Sequence, residues 1–314
     1  VKKILIVMLT VIAIVNAPLF AADQSLRVGA WAEAHNLNDI AVPGDLDYVV
    51  MPYAGYSFGR PSTDRLIAGA YLSLVSPYVF GEGLDTLSPG VEGWFNYRLK
   101  NTPESLMETG LSVYGNHAAD SGFSLSVDAK FNWYPYNRLK EVTAHEHLAD
   151  FYDGLRMGAG LNGGVSASGL FGEGDPDKEL HGSLSGRLQS GRKLGKSFWL
   201  LGEVLINALQ LSMPATLDSY EVSSTGSFAF EAGHVTDDLI LMAAVTGDFG
   251  VDKILTTNGF FDGSSFDYSW MLLSEVGYFF VDDLYVYGGA ELHSSKGSFA
   301  DYSAVYIGAQ FYLL

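Results

Sequence analysis

The chain has 314 residues, 48% of them hydrophobic, with 36 Gly, 18 Tyr, 19 Phe and no Cys. That composition excludes a disordered chain and leaves no place for disulfides, thiolate zinc sites or a lipid-modified cysteine. The formal net charge of −18 argues against nucleic acid or anionic surfaces as partners, since like charges repel; cations are the partners such a chain attracts, and acidic loops also keep an exported protein hydrated.

The N-terminus carries Lys2 and Lys3, then an apolar run over 4–15 broken only by Thr10, then Leu19-Phe20-Ala21. The run is too short for a spanning helix, which needs about 20 residues. It reads as a signal peptide, residues 1–22, cut after Ala21 or Ala22. Its removal would leave 16 basic and 36 acidic side chains, a net of −20. After Ala22 no apolar stretch approaches the length of a spanning helix. If the remaining chain, 23–314, lies in a membrane, it must cross as strands.

Those residues read as strands almost throughout. In 90–99, Val91, Gly93, Phe95, Tyr97 and Leu99 point one way and Glu92, Trp94, Asn96 and Arg98 the other. In 123–133, Phe123, Leu125, Val127, Ala129, Phe131 and Trp133 alternate with Ser124, Ser126, Asp128, Lys130 and Asn132. In 180–189, leucines and glycines alternate with His181, Ser183, Ser185, Arg187 and Gln189. Period-2 alternation is the mark of a strand with two different environments. Fourteen strands are expected, near 24–34, 46–58, 65–75, 90–99, 105–115, 123–134, 153–167, 180–190, 197–210, 220–234, 238–249, 266–280, 284–293 and 302–314. The strand near 197–210 alternates poorly, with Leu201 and Leu205 on the face assigned inward, so the count could be 12 to 16.

Ordinary strands run about 5–6 residues. Alternating strands of about ten are the spanning-strand signature. The connections alternate too. Links at 59–64, 100–104, 190–196, 236–237 and 281–283 are short, while those near 35–45, 76–89, 168–179, 250–265 and 294–301 are longer and polar. Short periplasmic turns opposite longer outer loops are a barrel's pattern. The link 136–151 breaks it: it is long where a turn is expected and could hold a helical turn. No linker divides the chain. A weak repeat relates Glu231-Ala-Gly233-His234-Val235-Thr236-Asp237-Asp238-Leu239 to Glu275-Val-Gly277-Tyr278 followed by Val281-Asp282-Asp283-Leu284.

The apolar faces carry aromatics near strand ends, among them Phe95, Tyr97, Phe131, Trp133, Phe230, Tyr268, Tyr278, Phe280 and Phe311. Amphipathic rings favour membrane interfaces. The opposite faces carry Arg27, Glu33, Glu92, Arg98, Glu108, Asp128, Lys130, Arg187, Glu203, Glu231, Asp248, Glu275 and Glu291. Burying these in a dry interior would be costly; lining a water-filled lumen costs little. A soluble open sheet could turn them to solvent, but so many long strands in one such sheet are unusual. Lipid supplies no water to an unpaired edge, so the sheet must close, first strand on last. The expected fold is all-β: one closed antiparallel transmembrane barrel.

The stretch Glu275-Val-Gly-Tyr-Phe-Phe-Val-Asp-Asp-Leu-Tyr-Val-Tyr-Gly-Gly-Ala resembles the strand–turn–strand of bacterial outer-membrane β-barrel proteins, a porin-like class. The segment Tyr306-Ile-Gly308-Ala-Gln-Phe311-Tyr-Leu313-Leu314 resembles their C-terminal assembly signal, with Leu314 where an aromatic is usual. The resemblance implies outer-membrane location and two partners, outer-membrane lipid and the barrel-insertion machinery, with Gly308, Phe311, Leu313 and Leu314 carrying the signal.

No catalytic set stands out. The histidines are scattered at 35, 117, 145, 147, 181, 234 and 293. Glu141, His145, Glu146, His147 and Asp150 are the densest cluster, and a solvated polar turn explains them more simply than a metal. His181 lies on an inward face near Ser183 and Ser185 without a recognisable triad. The glycines at 158, 160, 163 and 164 lack the strand–loop–helix setting and lysine of a phosphate loop; in strands they allow bending and close approach. No enzyme activity, cofactor or metal is expected. Fourteen strands imply a backbone diameter of roughly 28 Å and a lumen wide enough for small solutes, which inward Trp31, Tyr53, Trp94, Tyr114, Tyr285 and Tyr287 narrow without filling. The expected function is a passive, mildly cation-preferring channel for small hydrophilic solutes. The alternative is a surface adhesin or structural barrel with a blocked lumen; a membrane-embedded hydrolase comes third.

Overall fold

A computed structural model describes residues 24–35, 47–59, 64–79, 88–118, 122–142, 151–171, 176–217, 219–256, 259–260, 266–295 and 302–313. The signal-peptide assignment, 1–22, lies outside them. Among the described residues there are sixteen strands: β1 Gln24–His35, β2 Asp47–Phe58, β3 Leu66–Val79, β4 Ser88–Thr102, β5 Ser105–Ala118, β6 Gly122–Asn137, β7 Lys140–Val142, β8 Phe151–Leu170, β9 Asp177–Leu194, β10 Phe198–Pro214, β11 Glu221–Val235, β12 Leu239–Thr256, β13 Gly259–Phe260, β14 Phe266–Val281, β15 Leu284–Ser295 and β16 Tyr302–Tyr312. Every pairing is antiparallel, and fourteen strands form one ring in which β1 pairs β16 and β11 pairs β12. The short β7 and β13 hang on β8 and β12. No helix occurs among the described residues.

Every one of the fourteen expected strands is in the ring. Most are longer than their alternation suggested: β8 has 20 residues and β9 and β12 have 18 each. Much of the segments 168–179 and 250–256, expected as outer loops, is therefore strand. Beyond the lipid no apolar face is needed, so hairpin ladders continue there without alternation. One link on the loop side, 119–121, is also shorter than the short-and-long rule expects.

Tight turns and the two ends of the described chain share one end of the ring, the turn end. Two of these turns use the same device. Thr102 Oγ1 accepts from the Ser105 N–H at 3.1 Å, and Thr236 Oγ1 accepts from the Leu239 N–H at 3.1 Å. A side-chain oxygen that takes up a turn's free donor is what threonine offers there.

The poor alternation of β10 has a local cause. Pairing with β9 and β11 shifts register between Asn207 and Gln210, so an extra residue changes the parity. Ile206 and Leu209 consequently both face outward, while Leu201 and Leu205 face inward as assigned. A β-bulge does this without ending the strand.

The link 136–151 is corrected in kind. Where described it holds no helical turn but an antiparallel ribbon, β7 on the start of β8, with Lys140 opposite Asp153. The ribbon crosses the inner face of the wall. A Cβ on inward Gly191 would lie 1.9 Å from the Tyr152 carbonyl oxygen, and one on Gly154, at φ +117°, would lie 2.1 Å from that of Arg138. Only glycine allows a backbone to pass so close. Beneath this strap lie the two largest fully buried side chains among the described residues, Leu106 and Tyr134, at 1% and 2% exposure.

Candidate pore and its lining

Two faces follow from parity. The outer face is apolar and exposed: Phe95, Phe131, Leu161, Leu184, Phe230, Leu241, Val276 and Ile307 lie there, the last 63% exposed. Val127, Leu239 and Val286 have the same orientation, being paired with outward Val165, Tyr278 and Tyr278. The inner face is polar and hydrogen-bonded. A closed ring, apolar outside all round and charged inside, reverses the partition of a water-soluble protein. The protein is a transmembrane β-barrel.

All thirteen residues assigned to the lumen lie on the inner face, but they are not alike. On one side, β5 to β10, the carboxylates have hydrogen-bonding partners on neighbouring strands. Arg187 Nε meets Glu203 Oε1 at 3.0 Å, and Gln189 Nε2 donates to the same carboxylate at 2.8 Å. Glu108 accepts from Asn132 Nδ2 at 3.0 Å. Asp128 meets His181 Nε2 at 2.5 Å and accepts from Ser126 Oγ at 2.8 Å. Lys130 is on the same wall. On the other side, from β14 through β1 to β4, lie the carboxylates Glu275, Glu291, Glu33 and Glu92 together with Arg27, and Arg98 at the turn end of β4; Glu291 Oε2 meets His293 Nε2 at 3.0 Å. Glu231 and Asp248 extend the acidic side onto β11 and β12.

Aromatic side chains line that acidic side. Trp31, Tyr53, Trp94, Tyr285 and Tyr287 are inward as assigned, and Tyr114 is inward and 51% exposed. Tyr71, Tyr306 and Tyr312, which the periodicity argument left out, join them. The rings lean on glycines of the neighbouring strand: Tyr53 on Gly29, Trp94 on Gly69, Tyr287 on Gly308, Tyr306 on Gly289 and Trp199 on Gly233. In each case ring and glycine are direct cross-strand partners. The signal was therefore in the sequence, as inward Tyr or Trp opposite inward Gly, but reading it requires the register. The same contact explains the internal repeat. In each copy an inward acid, Glu231 or Glu275, precedes by two an inward glycine, Gly233 or Gly277, which receives the ring of Trp199 or Tyr285.

At the turn end the lumen holds an apolar cluster of Trp199, Val235, Ile240, Phe279, Tyr285 and Tyr312. Opposite it, inward Arg156, also unassigned from sequence, donates through Nε to Asn137 Oδ1 at 2.9 Å and lies over the Tyr134 ring at 5.2 Å. A cavity of about 780 Å³ opens beneath the strap there, lined by Arg98, Leu106, Tyr152 and Arg156 among others.

In the expected assembly signal, Gly308 is inward under Tyr287, while Phe311 and Leu313 are exposed on the lipid face; Leu314 lies outside the described residues. Of the possible metal cluster, His145, Glu146, His147 and Asp150 also lie outside them. Among the described residues no three His, Asp or Glu side chains converge. His181 is bound to Asp128, and Ser185 Oγ donates to the Gly160 carbonyl at 3.4 Å.

No protein-family profile and no curated protein matches the chain. Similar solved structures include a loop-deleted OmpT, an outer membrane protein of Vibrio cholerae, at 9% identity and TM-score 0.44, covering 94% of this chain and 100% of that one. Omp33, an outer membrane protein of Acinetobacter baumannii, is similar at 13% identity and TM-score 0.41, covering 94% and 100%. The outer membrane channel DcaP of Acinetobacter baumannii is similar at 9% identity and TM-score 0.45, covering 93% and 97%.

Proposed function

We propose that this barrel is a passive outer-membrane channel for small hydrophilic solutes with a mild preference for cations. One observation supports it above the rest: the inner face carries a full complement of charged side chains, several of them half-exposed, which a dry interior would not tolerate. The acids outnumber the bases on that face, and a surplus of fixed carboxylate raises the local concentration of cations. The Arg187–Glu203 pair cancels locally and adds nothing to the preference.

Reversal potentials across a salt gradient in planar bilayers test this. The expected result is cation selectivity at low salt that weakens as salt rises, because screening acts beyond about 8–10 Å. Replacing Glu92, Glu275 and Glu291 together by Gln should abolish most of it. Anion selectivity at low salt would mean that Arg98, Arg156 and Arg187 dominate the passage.

The strap and the enclosed Leu106 and Tyr134 favour a second reading, in which the turn end is closed and the barrel serves as a surface adhesin or structural element. A barrel that inserts but never conducts would support that reading. Turnover of lipid or peptide by the purified protein would instead point to a membrane-embedded hydrolase.

A further inference from the structure

The tyrosines on the acidic side form a continuous surface rather than separate rings. Tyr53 and Tyr71 stack with centroids 5.4 Å apart, Tyr285 and Tyr287 likewise at 5.4 Å, and Tyr287 is 6.3 Å from Tyr306. Because each leans on a glycine, the rings lie along the wall and their outer faces are turned to the lumen. Their hydroxyls are held: Tyr53 donates to Gln310 Oε1 at 2.6 Å, and Tyr306 and Tyr285 donate to the two oxygens of Glu275 at 2.9 and 3.3 Å. This fixes the rings and places a carboxylate at their margin.

Electron-rich ring faces beside a carboxylate attract ammonium and guanidinium groups by two additive effects, ring quadrupole and charge. The chain supplies an internal example. On the opposite wall the Arg156 guanidinium lies over the Tyr134 ring at 5.2 Å. The ring faces alone would also suit neutral cyclic solutes, but Glu275, held at their margin by Tyr285 and Tyr306, favours positive charge.

We propose that this wall, centred on Tyr53, Tyr287, Tyr306 and Glu275, is a binding track for organic cations that join an ammonium or guanidinium group to a flat or apolar body. The proposal rests on the lumen being open to water, as the channel reading has it, and deepens that reading by naming the solute class.

Benzylammonium, benzyl alcohol and benzoate separate charge from shape. Added to single channels at millimolar concentration, benzylammonium should interrupt the current reversibly, and the other two should not. Glu275→Gln and Tyr287→Leu should each weaken the block by about fivefold or more, while Asp237→Asn, in a turn, should leave it unchanged. Far-UV circular dichroism confirms that each variant is folded. If Tyr287→Leu fails to fold, Tyr306→Phe, which keeps the ring and frees one oxygen of Glu275, should alter the block instead. Conductance without block, or equal block by all three solutes, overturns the proposal and leaves the channel standing. Absence of conductance sinks the channel reading, and calorimetric titration of the detergent-solubilised barrel then decides the proposal. Saturable benzylammonium binding that weakens in Glu275→Gln supports it; no binding overturns it.

Discussion

Leu161→Arg is expected to destabilise the inserted barrel by about 2–4 kcal/mol, the cost of an arginine facing the middle of the hydrocarbon layer. Leu161 is 59% exposed on the outer face of β8 and is flanked across the strands by Phe131 and Leu184. Its cross-strand neighbours Phe131 and Leu184 offer a guanidinium no acceptor, and snorkelling toward the headgroups is the main relief. Val276→Arg on β14, on the far side of the ring, should cost a similar amount. Ser183→Arg, one strand from Leu161 but directed into the lumen, should cost a fraction of that, because water solvates the charge. Urea titration of unfolding in lipid vesicles measures all three. Equal costs for Leu161 and Ser183 would mean that the two faces see the same solvent, and the membrane assignment would fall.

Gly191→Val is expected to expel the strap from the turn end of the lumen. The obstacle is backbone: the carbonyl oxygen of Tyr152 stands 1.9 Å from the Cβ position. No rotamer change relieves such a clash, so either the wall or the ribbon must move. The wall is held on both sides, Gly191 pairing with Gly154 on β8 and with Leu201 on β10. The ribbon is held mainly by β7, three residues long, and by the Lys193 N–H donating to Asp153 Oδ1 at 3.4 Å. The ribbon should therefore yield, at a cost of about 1–3 kcal/mol. Single-channel conductance should rise, and the link 138–150 should be cleaved faster by added protease. Unchanged conductance with faster cleavage would show that the strap lies beside the passage rather than across it. Unchanged cleavage would contradict the crossing itself.

Strand number, barrel class and the sorting of side chains to two solvents were legible before any coordinates. Alternation has a period of two, and lipid on one side and water on the other impose it on every residue that spans the membrane. Phe95, Phe131 and Glu92 could thus be placed one strand at a time. The same logic failed where the constraint was absent. Outside the lipid β8, β9 and β12 run on without alternation, and in β10 a single inserted residue reversed the parity.

What pairs with what is a property of the closed sheet. Glu203 lies 16 residues from Arg187 in sequence and Asp128 lies 53 from His181, and nothing local distinguishes these carboxylates from Glu275, which faces a wall of tyrosines. Register alone decides that Tyr287 stands opposite Gly308 and Tyr53 opposite Gly29. The sequence by itself determined that the inner face would be charged, because burial of charge is too costly anywhere else in such a chain. Only the tertiary structure decided that Glu203 would meet Arg187 while Glu275 would face aromatic rings, since strand pairing in the closed sheet sets which side chains become neighbours. It also decided that the link after Asn137 would turn inward, because two glycines far apart in sequence, at 154 and 191, become neighbours only when β8 and β9 pair.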